Sequence, residues 1–245
     1  MHAAMPSDEA RAVRLVRLTG GAVLLLGIVL AVVMPKHAVR ENVDGVSGAV
    51  VGFELATTPA HVVGVLGTPA DPAHPAMVSA MDLTNRIDFL FMIAYPALSY
   101  AIALWLVARG IAPRSLVPVV AVLALAMWAG DLIENLQLLK LSQTTDAAVM
   151  ASPLAVLRIA TRVKWKALFL TALLEGAFVW RDTSGWRWSA LVFGVAGGLG
   201  MAGFVGWLPG VEHGANLLGL AWAWTWVQSL RARPVAARTA LAAAD

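Results

Sequence analysis

Six apolar runs, separated by short polar or charged segments, set the pattern of the chain: residues 19–34, 87–107, 116–139, 158–180, 188–208 and 214–230. A helix rising 1.5 Å per residue needs about 20 apolar residues to cross roughly 30 Å of hydrocarbon. The pattern predicts an all-α polytopic membrane protein with six transmembrane helices, a single transmembrane domain over 1–245. The first run reads as a span rather than a signal peptide. Its head is long, carries Asp8 and Glu9, and no small-x-small cleavage site follows. The fourth run is uncharged only from Ala167 to Trp180, apart from Glu175. That part is too short to span, so the helix takes in Lys164 and Lys166.

Residues 35–86 form the longest stretch outside these runs and are predicted to be an extracytoplasmic cap. Thr58-Pro59 followed by Gly67 has the form of an N-cap, a first-turn proline and a C-terminal glycine, which predicts a short helix over 59–66. Gly67 to Pro75 is turn chemistry. Farther along, Ser152-Pro153 reads as the start of the fourth helix. A seven-span alternative turns Val46–Leu66 into a membrane helix and inverts everything after it.

Composition agrees with the pattern. The chain is 59% hydrophobic and 13% charged, against about 25% charged in soluble domains. Its formal net charge of +3 comes from arginines at the ends of apolar runs. The basic residues therefore speak for topology, and no nucleic-acid partner is expected. With both termini in the cytoplasm of a cell-membrane protein, the inner segments hold Arg11, Arg14, Arg17, Arg109, Arg114, Arg181, Arg187, Arg231, Arg233 and Arg238. The outer segments keep Lys36, Arg40, Arg86 and Lys140 once Arg158, Arg162, Lys164 and Lys166 are set apart as helix residues. That bias follows the positive-inside rule. The absence of cysteine excludes disulfides and thiolate chemistry. No metal-ligand spacing and no cofactor motif is read.

The candidate chemistry lies where charges interrupt apolar helices. Trp128, Asp131, Glu134, Asn135 and Leu138 fall on one face of the third run. A charge at the centre of a membrane helix costs roughly 2.5–3.5 kcal/mol on insertion scales, so intramembrane ionisable groups point to function by default. Asp131 and Glu134 are candidate acid/base groups, with Asn135 orienting; the alternative is a clamp onto the next helix. Asp131 is expected about 12 Å below the outer end of its helix, level with Lys166. Arg162, Lys164 and Lys166 are candidate ligands for an anionic head group, with snorkelling to the interface as the plainer role. Asp88, Met92, Tyr95 and Ser99 share a face of the second run, with Tyr95 expected mainly to pack. Lys164, Thr171 and Glu175 share a face of the fourth. Glu175 is deep and has no visible partner.

Other features read as structural. Gly198 to Gly203 matches G-x-G-x-x-G but lies inside a span and follows no strand, so close helix packing explains it, as it does Gly194 and Gly198. His213 beside Glu212 reads as a solvated loop histidine. Trp180, Trp186, Trp188 and Trp207 fall near expected interfaces, whereas Trp222, Trp224 and Trp226 form an aromatic wall or face lipid. Three functions fit: a site binding or transforming a lipid-like amphiphile, a small proton- or ion-coupled transporter, and a non-catalytic scaffold or sensor. Membrane lipid is the expected partner; the sequence names no protein partner and does not decide whether the chain is an enzyme.

Overall fold

The computed structural model describes residues 6–181 and 187–232; Trp186, Arg233 and Arg238 lie outside them. Among the described residues every regular element is a helix, and there is no strand. The elements are α1 (Pro6–Val33), α2 (Ala49–Glu54), α3 (Pro59–Leu66), α4 (His74–Ala108), α5 (Leu116–Leu141), α6 (Ala147–Val179), α7 (Arg187–Gly203) and α8 (Pro209–Arg231).

The long helices pack as a ring. Each of α4, α5, α6, α7 and α8 lies against the next, α1 lies against α4, and α8 returns to α1. Short connections between consecutive helices favour such neighbour packing. Arg17 closes the ring by donating from Nε and Nη2 to the Ser229 carbonyl at 2.9 and 2.7 Å, capping the otherwise unsatisfied end of α8. Trp226 Nε1 donates back to the Arg17 carbonyl at 3.0 Å.

Three helices are long and apolar enough to cross a membrane by length and composition: Asp8–Val33, His74–Ala108 and Leu116–Leu141. Their outward faces carry apolar side chains that none of the other described residues covers. Val32, Val122 and Leu125 are 78%, 68% and 62% exposed, an arrangement suited to an apolar surround rather than to water.

Several boundaries differ from the sequence expectation. The polar head is already helical, since α1 begins at Pro6. α4 begins at His74, with Pro75 in its first turn, and not near residue 87. α6 begins at Ala147, where the Asp146 carboxylate accepts the Ala148 N–H at 2.8 Å, so Pro153 sits inside the helix rather than at its start. α7 stops at Gly203 and α8 starts at Pro209; between them Gly206 holds φ +122°, a left-handed value open to glycine. The short helix over 59–66 forms with its expected ends: Thr58 Oγ1 accepts the His61 N–H at 3.2 Å, and Gly67 takes φ +76°.

The extensions of α4 and α6 give α2 and α3 something to rest on. Phe53, Val62, Val65 and Leu66 bury against Met77 and Met81 of α4, Leu138 and Leu141 of α5, and Met150, Leu154 and Leu157 of α6. This second apolar core sits beside the main one, which runs through the helical ring. The α7–α8 contact uses small residues. A Cβ added at Gly214 would lie 2.7 Å from the Ala196 carbonyl and 2.8 Å from Gly200 N. Gly200 and Gly203 of the glycine-rich motif do pack closely; a Cβ added at Gly194 or Gly198 would meet nothing within 4 Å, although the Gly194 backbone closely faces α6, its N 3.1 Å from a Cβ placed on Gly176.

Candidate functional site

The buried face of α5 carries Met127, Gly130, Asp131, Glu134, Asn135 and Leu138. Trp128, expected on this stripe, turns outward and is 38% exposed. Met127 takes its place one residue earlier, which keeps the three- and four-residue spacing. Gly130 is the key to what faces Asp131. A Cβ there would lie 2.9 Å from both the Ala160 carbonyl and Lys164 N. The missing side chain lets the α6 backbone approach and brings Lys164 level with the acids of α5.

Lys164 is buried and meets three carboxylates. Its Nζ lies 3.1 Å from Glu54 Oε2 and 3.4 Å from Asp131 Oδ1, and it donates to Glu134 Oε1 in the closest contact of the set. Tyr95 donates its hydroxyl to Asp131 Oδ2 at 2.8 Å. Asn135 Nδ2 donates to Asp88 Oδ2 at 2.6 Å, tying a fourth carboxylate to the cluster. Thus Asp88, Tyr95, Asp131, Glu134, Asn135 and Lys164 meet at one level of the bundle. Tyr95 also stacks on Trp222, with ring centroids 6.0 Å apart, so this tryptophan of α8 faces inward while Trp224 is exposed.

Glu54 is the member that sequence reasoning missed. It ends α2, and its side chain accepts Trp165 Nε1 at 3.1 Å while its carbonyl accepts Thr161 Oγ1 at 3.1 Å. A lone carboxylate in the apolar stretch before Thr57 was the available signal. The fold-back of α2 onto α6 was not written in any local pattern.

The structure separates the other basic candidates from this cluster. Arg162 and Lys166 are exposed on another face of α6, and Lys166 lies over the Phe204 ring at 5.6 Å. Glu175 is buried, and neither oxygen finds a hydrogen-bond partner among the described residues. At the mouth of α8, Glu212 accepts Ser47 N at 2.9 Å, Ser47 Oγ at 2.6 Å and Gly48 N at 2.9 Å. Partial burial pushes its carboxyl up, but the Ser47 and Gly48 hydrogen bonds outweigh that and hold it below the ordinary value. Glu212 therefore fastens the segment before α2 to α8. His213 is exposed and rests against the Trp207 ring.

A cavity of about 370 Å³ opens between the cap, α6 and the α7–α8 turn. Its charged and polar lining includes Asp44, Glu54, His61, Arg158 and Arg162, with Phe204 among its apolar walls. Glu54 is thus the one residue shared by the cavity lining and the Lys164 contacts. Carboxylates joined through an ammonium at hydrogen-bond reach can hold and relay a proton. The same contacts also make a clamp, because Lys164 of α6 ties α2 and α5 together through Glu54, Asp131 and Glu134.

The chain matches no protein family, no curated protein and no solved structure.

Proposed function

We propose that the chain is a six-span integral protein of the cell membrane that binds a lipid-like amphiphile in its outer half, with both termini cytoplasmic. The support for six spans is the ring itself. α6, α7 and α8 lie alongside the three apolar helices and close the circle with them. α6 falls short of the composition expected of a span because Arg158, Arg162, Lys164 and Lys166 share one stretch of it. Lys164 has buried partners, and the other three lie exposed where long basic side chains reach the interface. Residues 35–73, with the protruding ends of α4 and α6, make up the extracytoplasmic cap.

The observation that carries the binding proposal is the cavity that ends on Glu54, whose carboxylate is held from behind by Lys164. In this reading Glu54 is the acid at the ligand. Asp131, Glu134 and Asn135 are a positioning layer that acts through Lys164, and Arg162 meets the head group from the cavity wall. Lys166 extends the basic rim. Mass spectrometry of molecules co-purifying with gently solubilised protein tests this. A discrete amphiphile should accompany the wild type and be lost from Glu54→Gln. Bulk lipid alone in both samples would remove the proposal.

One observation favours a proton-coupled transporter as a second reading: three carboxylates share a single buried ammonium, and a fourth, Asp88, joins them through Asn135. Proteoliposomes should then show pH-gradient-driven flux that Glu134→Gln abolishes.

A further inference from the structure

The cavity wall carries charges of both signs, and three of them, Asp44, Arg158 and Arg162, have no partner among the described residues. Arg158 and Arg162 are one helical turn apart on α6, and neither makes a hydrogen bond or ion pair among the described residues. Asp44 is exposed and has no such partner either. Glu54 receives both of its side-chain donors, Lys164 and Trp165, on Oε2; Oε1 accepts none among the described residues. The Thr57 N–H donates to His61 Nδ1 at 3.2 Å, which leaves Nε2 as the ring nitrogen not engaged by Thr57.

Consider what could fill this space. Two neighbouring guanidiniums suit a phosphate, which accepts from their planar forks. A purely anionic head group would satisfy them but would face Asp44 and Glu54 with like charge. A purely cationic one would satisfy the carboxylates and meet repulsion from the arginines. A group carrying a phosphate and an ammonium a few bonds apart meets both walls. The volume, about 370 Å³, falls in the range of small-molecule sites. The apolar part of the lining, Val43, Leu55, Phe204 and Leu208, offers a path for the attached chains.

We propose that the cavity selects a zwitterionic phosphate–ammonium head group, with the phosphate on Arg158 and Arg162 and the ammonium on Asp44 and Glu54. This rests on the amphiphile reading and narrows it to one class. The same chemistry occurs in a membrane phospholipid and in a soluble phosphorylated amino alcohol, so the test carries both.

The experiment measures binding to the full-length protein in detergent for three probes: short-chain phosphatidylethanolamine, phosphatidylglycerol with the same chains, and free phosphoethanolamine. Phosphatidylethanolamine should bind about tenfold more tightly than phosphatidylglycerol, or about 1.4 kcal/mol. Arg158→Ala/Arg162→Ala should lose both lipids. Asp44→Asn changes an exposed, unpartnered side chain, so folding is not at issue; it should shrink the preference by releasing phosphatidylethanolamine and not phosphatidylglycerol. Equal binding of the two lipids by the wild type, or an unchanged ratio in Asp44→Asn, would overturn the zwitterion proposal while leaving an amphiphile site standing. Free phosphoethanolamine binding as tightly as the lipid would uphold the head-group chemistry and remove the amphiphile reading. Binding of none of the three would remove both.

Discussion

At the scale of single residues, the two lysines of α6 separate cleanly although they are two positions apart. Among the described residues, Lys164 is the only cation paired with Glu54, Asp131 and Glu134. Removing one partner of a buried ionic set leaves uncompensated charge and costs about 3–5 kcal/mol. Lys164→Met should therefore lower the melting temperature sharply, whereas Lys166→Met should change stability by no more than about 0.5 kcal/mol; a thermal-shift comparison of the two variants reads the difference. A second residue-scale prediction concerns the cap. The Thr68 N–H, at 2.6 Å, and then the Arg40 guanidinium, at 2.8 Å, hold the Asp71 carboxyl down to about 2 from an ordinary 3.8. A folded value below the unfolded one contributes stability above the unfolded value and loses it as pH falls toward the folded one. Pepsin should cut the wild type within residues 67–74 less than Asp71→Asn at pH near 3.8, and the difference should shrink as pH falls toward about 2. Equal cleavage of the two proteins at every pH would show that Asp71 does not hold the turn.

At the scale of elements, the site depends on how closely α5 and α6 approach. Gly130→Ala would set a Cβ 2.9 Å from backbone atoms of α6, which cannot swing aside as a side chain can. The helices must shift, at a cost of about 1–3 kcal/mol, and Lys164 should lose its register with Asp131. Gly198→Ala meets nothing within 4 Å and should be neutral or slightly stabilising, since alanine favours a helix over glycine by about 0.5–1 kcal/mol. Thermal denaturation of the pair measures the contrast. The same two helices show what was legible in the sequence. The α5 stripe of Asp131, Glu134 and Asn135 followed from helical spacing, as did the shared face of Lys164, Thr171 and Glu175, all buried on α6. α3 followed from its cap residues. The choice of Lys164 over Lys166 as the partner of the acids was not legible, because it depends on the rotation of α6 that Gly130 permits. Glu54 was not legible because its neighbours come from distant segments. The early start of α4 was in principle readable: Pro75 sits where a first-turn proline belongs, but the surrounding Gly-Thr-Pro-Ala-Asp-Pro favours a turn just as well.

At the scale of the whole molecule, the proposed topology assigns every connection to one side of the membrane, and the chain offers a clean way to test that. It contains no cysteine, so each introduced thiol is the only one. In the six-span arrangement the α5–α6 connection is outside with the cap, and the α4–α5 connection is inside. Thr145 and Ser115 are exposed in these two connections. Intact cells treated with a membrane-impermeant maleimide should label Thr145→Cys and spare Ser115→Cys, and lysis should expose the latter. The seven-span alternative predicts the reverse at both positions, because a crossing within Val46–Leu66 inverts all that follows. Two physical points favour the first pattern. The stretch 46–66 is broken into helices of 6 and 8 residues, each far short of the roughly 20 needed to span. Their apolar faces are already buried on Met81, Leu138 and Leu157, so little of them remains to meet lipid. A reversed labelling pattern would also move the cavity and its arginines to the cytoplasmic half, and any ligand would then have to come from that side.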